Sequence, residues 1–172
     1  MIKNIEIKAR CADPERIRKI LNGLGSECIG IDHQIDTYFR VKEGRLKLRQ
    51  GNIENALIYY VRPDMPGPKP SDVLLHPTPD STSLSTLLEA SLGVLARVDK
   101  LREIHFIDNV KFHLDEVKGL GSFVEIEAID QDGDLDTDHL RAQCHHYLQL
   151  FGIEPDELLH DSYSDQLLKA GF

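Results

Sequence analysis

Polar and apolar positions alternate from the start of the chain. In residues 2–10, Ile5, Ile7 and Ala9 share one parity and Asn4, Glu6, Lys8 and Arg10 the other, which predicts a strand with one charged face. Asp13-Pro14 then supplies an N-cap and a proline at the first helical position. Ile17, Ile20, Leu21 and Leu24 follow at helical spacing up to Gly25. Residues 36–41 and 45–49, joined by Lys42-Glu43-Gly44, predict a hairpin whose second strand carries Arg45, Lys47 and Arg49 on one face. Residues 56–61 read as another strand, stopped by a loop over 62–70 that holds four prolines, and a short strand is expected at 73–75.

Beyond His76-Pro77-Thr78-Pro79, Leu84, Leu87, Leu88 and Leu92 mark a second helix that begins near Ser81 or Ser83 and is closed by Gly93. Three β-rich runs come next, at 98–107, at 110–117 after an Asp108-Asn109 turn, and at 123–129 after Gly119-Leu120-Gly121; they predict a meander. The last forty or so residues are expected to be helical. There Leu135, Leu140, Cys144, Tyr147, Leu148 and Phe151 line one side of a helix, and residues 163–168 form a short terminal one. Strands outnumber helices and neighbour one another in sequence. The expected fold is therefore α+β, an antiparallel barrel or strongly curved sheet with helices packed outside, residues 1–172 forming one domain.

Composition narrows the function classes. With 41% apolar and 28% charged residues, the 172-residue chain can bury one sizeable core. It has no apolar run near the roughly 18 residues a membrane span needs, and its first ten residues lack the apolar region of a signal peptide. A soluble, cytoplasmic protein with no membrane association is expected. Cys11, Cys28 and Cys144 are odd in number and far apart, which supports neither a disulfide framework nor a zinc knuckle. A net charge of −9 argues against nucleic-acid binding. The average hides a gradient, however. Residues 1–62 carry 12 Lys and Arg against 8 Asp and Glu, whereas residues 131–172 carry 2 against 9, a pattern compatible with an anion site built from the early elements.

Both signs of charge recur at period two: Glu6, Lys8 and Arg10, then Arg45, Lys47 and Arg49, then Lys100, Arg102, Asp115, Glu125 and Glu127. Two arrangements satisfy that pattern. The charged faces can be the wet exterior of an antiparallel sheet, or they can line a water-filled lumen. In the second case a polyanion and metal ions must neutralise them, because unpaired buried charge is prohibitive. Lys and Arg would hold successive phosphates, and Glu6, Glu125 and Glu127 would offer the hard oxygens that Mg²⁺ or Mn²⁺ prefers.

The ordered set Asn4-Ile5-Glu6-Ile7-Lys8, Asp36-Thr37-Tyr38-Phe39, Leu46-Lys47-Leu48-Arg49, Lys100-x-Arg102, Phe112-His113-Leu114-Asp115 and Gly119-Leu120-Gly121-x-Phe123-Val124-Glu125-Ile126-Glu127 resembles the CYTH superfamily. Ser162-Tyr163-Ser164-x-Gln166-Leu167-Leu168 resembles its closing segment. The resemblance implies a triphosphate tunnel: an antiparallel barrel of about eight strands with acidic and basic residues inside. Carried over by position, Glu6, Glu125 and Glu127 become ligands of Mg²⁺ or Mn²⁺. Lys8, Lys47, Arg49, Arg62, Lys100 and Arg102 become phosphate contacts, and Lys8 and Asp115 are assigned to catalysis, Asp115 as a further metal or substrate contact. Arg10, Arg45 and Lys69 are weaker candidates.

The likeness runs nearest to class IV adenylyl cyclases, which implies conversion of ATP to cyclic AMP and pyrophosphate. The alternatives are a triphosphatase acting on inorganic, nucleoside or thiamine triphosphate, and a non-catalytic polyphosphate binder. A homodimer is an open possibility. Three positions depart from the family pattern: Asn4 replaces the first Glu of the ExExK signature, Arg62 stands where relatives have Lys, and Val61 stands where Glu is expected. Asn4 brings no charge, so a second metal is expected to bind weakly. Removal of Lys47 or Arg102 is expected to weaken triphosphate binding with little loss of fold.

Other signals carry less. Residues 130–138 alternate Asp with other residues but lack the Gly and Glu of an EF-hand loop and read as a solvated helix start. His145-His146 beside Cys144 diverge on a helix and do not form a metal cluster. His33, His105 and His113 read as sheet histidines with satisfied partners, and Tyr38, Phe39, Tyr59 and Tyr60 as core or wall.

Overall fold

The computed structural model describes residues 2–61, 67–79 and 81–171. Arg62 and most of the proline-rich loop lie outside the described residues. Eight strands, β1 (Ile2–Arg10), β2 (Glu27–Phe39), β3 (Arg45–Gln50), β4 (Ala56–Val61), β5 (Lys69–Pro77), β6 (Val94–Ile107), β7 (Val110–Val117) and β8 (Gly121–Asp130), close into an antiparallel barrel in the order β1-β5-β4-β3-β2-β6-β7-β8. Four α-helices surround them: α1 (Pro14–Gly23), α2 (Thr82–Leu92), α3 (Thr137–Phe151) and α4 (Tyr163–Ala170). Among the described residues, no helix is long and apolar enough to cross a membrane.

Parity explains the layering. The apolar parity of β1, β7 and β8 (Ile5, Ile7, Val110, Phe112, Val124, Ile126) meets Ile17 and Leu21 of α1 and Leu140, Cys144, Leu148 and Phe151 of α3 in the main core. α2 covers the outside of β2 and β3, where Leu88 packs on Phe39 and Leu48. Tyr163 and Leu167 of α4 pack with Val98, Val117 and Phe123 on the inner side. Capping follows local chemistry: Asp13 accepts from the Arg16 N–H at the start of α1, and Ser162 from the Asp165 N–H at the start of α4.

Three expectations need correction. β2 begins at Glu27 rather than 36 because Ile29, Ile31 and Ile35 face outward while Asp32, Gln34 and Asp36 face in, the reverse of an ordinary half-buried strand. β5 runs from Lys69 through Pro70 to Pro77, well beyond 73–75; its register with β1 sets Pro70 opposite Ile5. α3 starts at Thr137 with Asp136 as N-cap, so Leu135 precedes the helix and stays exposed.

Candidate active site

Closing the barrel answers the question periodicity left open, since the charged parity points inward. The lumen is a cavity of about 410 Å³ lined by Glu6, Lys8, Asp36, Lys47, Arg49, Glu54, Lys100, Arg102, Lys111, His113, Glu125 and Glu127. Apolar and aromatic side chains line it as well, among them Tyr38, Ile58, Tyr60, Val73 and Leu75, with Lys47 5.5 Å and 5.8 Å from the Tyr38 and Tyr60 ring centroids. Of the predicted set, Asp115 alone among the described residues does not line the cavity.

Asp36 is the hub of the basic side. It accepts from Lys47 at 3.0 Å, from the Arg49 guanidinium at 2.9 and 3.0 Å, and from Lys100 at 2.8 Å. Burial alone would push the Asp36 carboxyl up, but Arg49, Lys100 and Lys47 together hold it well below the usual carboxylate range. Lys100 shows the converse. Burial, with Arg102, Arg49 and Lys47 nearby, outweighs Asp36 and brings its ammonium down to about 7.

A second network joins the other strands. Arg102 binds Asp115 bidentately at 2.7 and 2.6 Å and reaches Glu125 at 2.9 Å. Asp115, 2% exposed, sits behind Arg102 and also accepts from the Tyr163 hydroxyl at 2.8 Å. Burial raises the Asp115 carboxyl, but the Arg102 charge and hydrogen bonds bring it down to about 2. Lys8 pairs with Glu125 at 3.1 Å and lies 4.0 Å from the centroid of the Tyr163 ring. His113 Nδ1 lies 3.0 Å from Glu125. Burial and then Arg102 push the imidazole down to about 3, which leaves it neutral at physiological pH.

Where β1 meets β8, the register sets Glu6 opposite Glu127 and Lys8 opposite Glu125. Burial pushes the Glu127 carboxyl up, Lys111 draws it down, and Glu125 and Glu6 push it up again, so the net displacement is upward. The Asn4 amide donates to Glu127, while Asn4 Oδ1 is buried without a hydrogen-bond partner. Crowded carboxylates beside an unsatisfied carbonyl oxygen make a donor set of hard oxygens, and that set fits a small divalent cation such as Mg²⁺ or Mn²⁺.

Several lining residues escaped the sequence reading. Glu54 lies in the β3–β4 loop, which is fixed because buried Asp32 accepts from the Ile53 and Glu54 N–H groups, each at 2.9 Å. A Cβ at Gly51 would lie 2.7 Å from the Asp32 carboxylate, so the loop approaches this closely only with glycine there. Glu54 in turn accepts from Arg49 at 2.9 Å and from Lys111. His113, read as a satisfied sheet histidine, lines the cavity with its Nε2 buried and unpartnered. Asp36 was visible as a motif residue but not as the hub. The weaker candidates fall elsewhere: Arg10 is exposed over the Phe123 ring, Arg45 pairs with Asp165 at 3.0 Å, and Lys69 donates to the His160 carbonyl at 3.2 Å. His33 pairs outward with Asp99 at 2.7 Å.

Comparison with known proteins places this architecture. No curated protein matches the chain. Among solved structures, the PH1012 protein of Pyrococcus horikoshii is 23% identical, with a TM-score of 0.79 over 94% of this chain and 98% of that one. A Vibrio parahaemolyticus protein designated a candidate adenylate cyclase is 20% identical, with a TM-score of 0.75 over 96% and 97% of the two chains. A candidate adenylyl cyclase from Hippeastrum, in which triphosphatase activity is dominant, is 14% identical, with a TM-score of 0.59 over 99% and 96%. These likenesses concern the fold. The sequence itself carries the assignment, for the CYTH domain pattern matches residues 3–160, and the chain belongs to the CYTH domain family.

Proposed function

We propose that the protein is a metal-dependent enzyme that acts on an organic triphosphate held in the barrel lumen, with cyclisation of ATP to cyclic AMP and pyrophosphate as its reaction. The observation that carries this reading is that one cavity presents two sets of side chains, one charged and one apolar or aromatic. A triphosphate alone uses only the first. A nucleoside extends onto Tyr38, Ile58, Tyr60, Val73 and Leu75.

In this reading Lys8, Lys47, Arg49, Lys100 and Arg102 hold the phosphates, and Arg62 belongs to the same set by position. Glu6, Glu125 and Glu127 hold Mg²⁺ or Mn²⁺, with Asn4 Oδ1 available beside them. The cation, when bound, polarises phosphoryl oxygens and lowers the pKa of a coordinated hydroxyl. The rest is positioning by the chain. Lys8, oriented by Glu125 and the Tyr163 ring, is placed to offset charge on the phosphoryl group undergoing attack. Asp115 acts through Arg102, whose guanidinium it fixes from behind, and so serves as a positioning residue. Before substrate arrives, Asp36 supplies the counter-charge that phosphates later provide, which keeps Lys47, Arg49 and Lys100 converged.

Hydrolysis of a triphosphate is the second reading, favoured by the dominant triphosphatase activity of the Hippeastrum protein of the same fold. Product analysis separates the two: purified protein with ATP, and separately with inorganic triphosphate, each with Mg²⁺ or Mn²⁺ from neutral to alkaline pH. Cyclic AMP with pyrophosphate is the expected product set. Orthophosphate as the sole product makes it a triphosphatase. Tight binding with no turnover, unaffected by Glu125→Ala, makes it a polyphosphate-binding protein and refutes catalysis.

A further inference from the structure

Outside the lumen, the start of β2 and the end of β6 bring three side chains of different chemistry together. Ligand atoms of Cys28, Glu103 and His105 all lie within 4.8 Å of one another. Local sequence does not account for this grouping; a backbone irregularity does. Asp32, Gln34 and Asp36 are buried on the inward parity of β2, and strict alternation would turn residue 28 the same way. Instead the β2–β6 register shifts between Gly30, opposite Ile104, and Cys28, opposite His105, which leaves Ile29 as the extra residue of a β-bulge. Gly30 takes a φ of 137°, a conformation that glycine adopts without strain. The bulge returns Cys28 to the outer face, beside Glu103 and His105.

The surroundings are arranged as those of a metal ligand set are. His105 Nδ1 lies 3.0 Å from Ser26 Oγ, and Nε2 lies 2.8 Å from Glu103 Oε1. Donation from Nδ1–H to the serine would fix the tautomer that leaves Nε2 as a lone-pair donor. Arg18 grips both Glu103 oxygens, at 2.9 Å from Nε and 2.7 Å from Nη2, and so sets the plane of the carboxylate while lone pairs remain on Oε1. His105 and Glu103 are buried, and Cys28 is exposed, which gives an ion a path from solvent. Thiolate, imidazole and carboxylate together suit a borderline cation rather than the hard one expected in the tunnel.

We propose that Cys28, Glu103 and His105 form a Zn²⁺-class metal site on the outer wall of the barrel, separate from the lumen and independent of the reaction proposed there. A neutral His105 would keep its one proton on Nδ1, toward Ser26, with the ion at Nε2, while the ion replaces the proton of the Cys28 thiol, which leaves to solvent.

Co²⁺ is the probe of choice because a thiolate ligand gives a near-ultraviolet charge-transfer band that tunnel carboxylates cannot produce. Titration of the full chain is expected to develop that band at about one equivalent of Co²⁺, and Zn²⁺ is expected to displace it. Cys28→Ser, at an exposed position, should abolish it while thermal unfolding stays unchanged. Glu125→Gln should retain it, and Ser26→Ala should weaken the affinity by about 10- to 100-fold. Absence of the band in the unaltered protein, or a band that survives Cys28→Ser, overturns the proposal. The same holds if His105→Ala remains folded and binds Co²⁺ as tightly as before.

Discussion

Lys100 donates to Asp36 across 2.8 Å, and the two side chains are only 1% and 2% exposed. So complete a burial leaves the ammonium with a pKa of about 7 against an ordinary 10.5, the single carboxylate being outweighed by burial and three neighbouring cations. The unfolded chain holds that proton more tightly, so this group makes folding more favourable as pH rises from about 7 towards 10.5. An incoming polyanion reverses the balance. At pH 8, binding of metal-chelated triphosphate is expected to be accompanied by net proton uptake at Lys100, of up to about one proton. Calorimetry in buffers of different ionisation enthalpy measures it, and Lys100→Arg, which keeps the charge without titrating, should remove that component.

Arg102 and Lys47 were expected to behave alike on substitution, and the structure separates them. Lys47 shares Asp36 with two other cations, so Lys47→Ala should weaken triphosphate binding while leaving the fold intact. Arg102→Ala strands Asp115 and Glu125 together in the wall. A loss of about 3–5 kcal/mol of stability is expected, read from denaturant unfolding.

Asn4 stands where the family signature has a carboxylate. Asn4→Glu adds a negative charge beside Glu127, Glu6 and Glu125, where burial first, and Glu125 and Glu6 after it, already push the Glu127 carboxyl up. The metal-free variant should melt lower than the unaltered protein. With saturating Mn²⁺ the order should invert, since an ion at about 100 times its Kd adds roughly 2.7 kcal/mol to the folded state it binds. Equal melting shifts with and without Mn²⁺ would place the cation elsewhere.

Asp115 predicts the acid limb of stability. Its folded pKa of about 2 lies below the ordinary 3.8, so its contribution is present above 3.8 and is lost as pH falls towards 2. Asp115→Asn should flatten that part of the stability profile. Tyr163→Phe, which removes one hydrogen bond to the Asp115 carboxylate but keeps the ring beside Lys8, should lower stability by about 1.5–3 kcal/mol at neutral pH.

Much of this was legible in the chain because strand parity survives closure of the barrel. Glu6, Lys8, Lys47, Arg49, Lys100, Arg102, Glu125 and Glu127 share the polar parity their spacing indicated, and that parity lines the lumen, the arrangement the family resemblance implied and the spacing left open. The expected Asp108-Asn109 turn joins β6 to β7, and the register beyond it sets Arg102 opposite Asp115, a pairing not drawn from the sequence alone. What was not legible depends on contacts distant in sequence. Glu54 enters the site because Asp32, from another strand, holds its loop; Lys111 and His113 carry no local mark that separates a lumen residue from a sheet residue. The early part of β2 was hidden for a different reason, its apolar residues being the outward ones.

The β1–β8 junction brings Asn4 to Glu127 across 123 positions of sequence. Closing so long a loop carries a chain-entropy cost that grows only slowly with loop length, and burial of Ile5, Ile7, Val124 and Ile126 at the same junction offsets it. The acidic cluster therefore exists only when the two ends of the CYTH domain have met. A cation that selects the joined state would restrain a contact between distant parts of the chain, and would slow hydrogen exchange along that pair of strands.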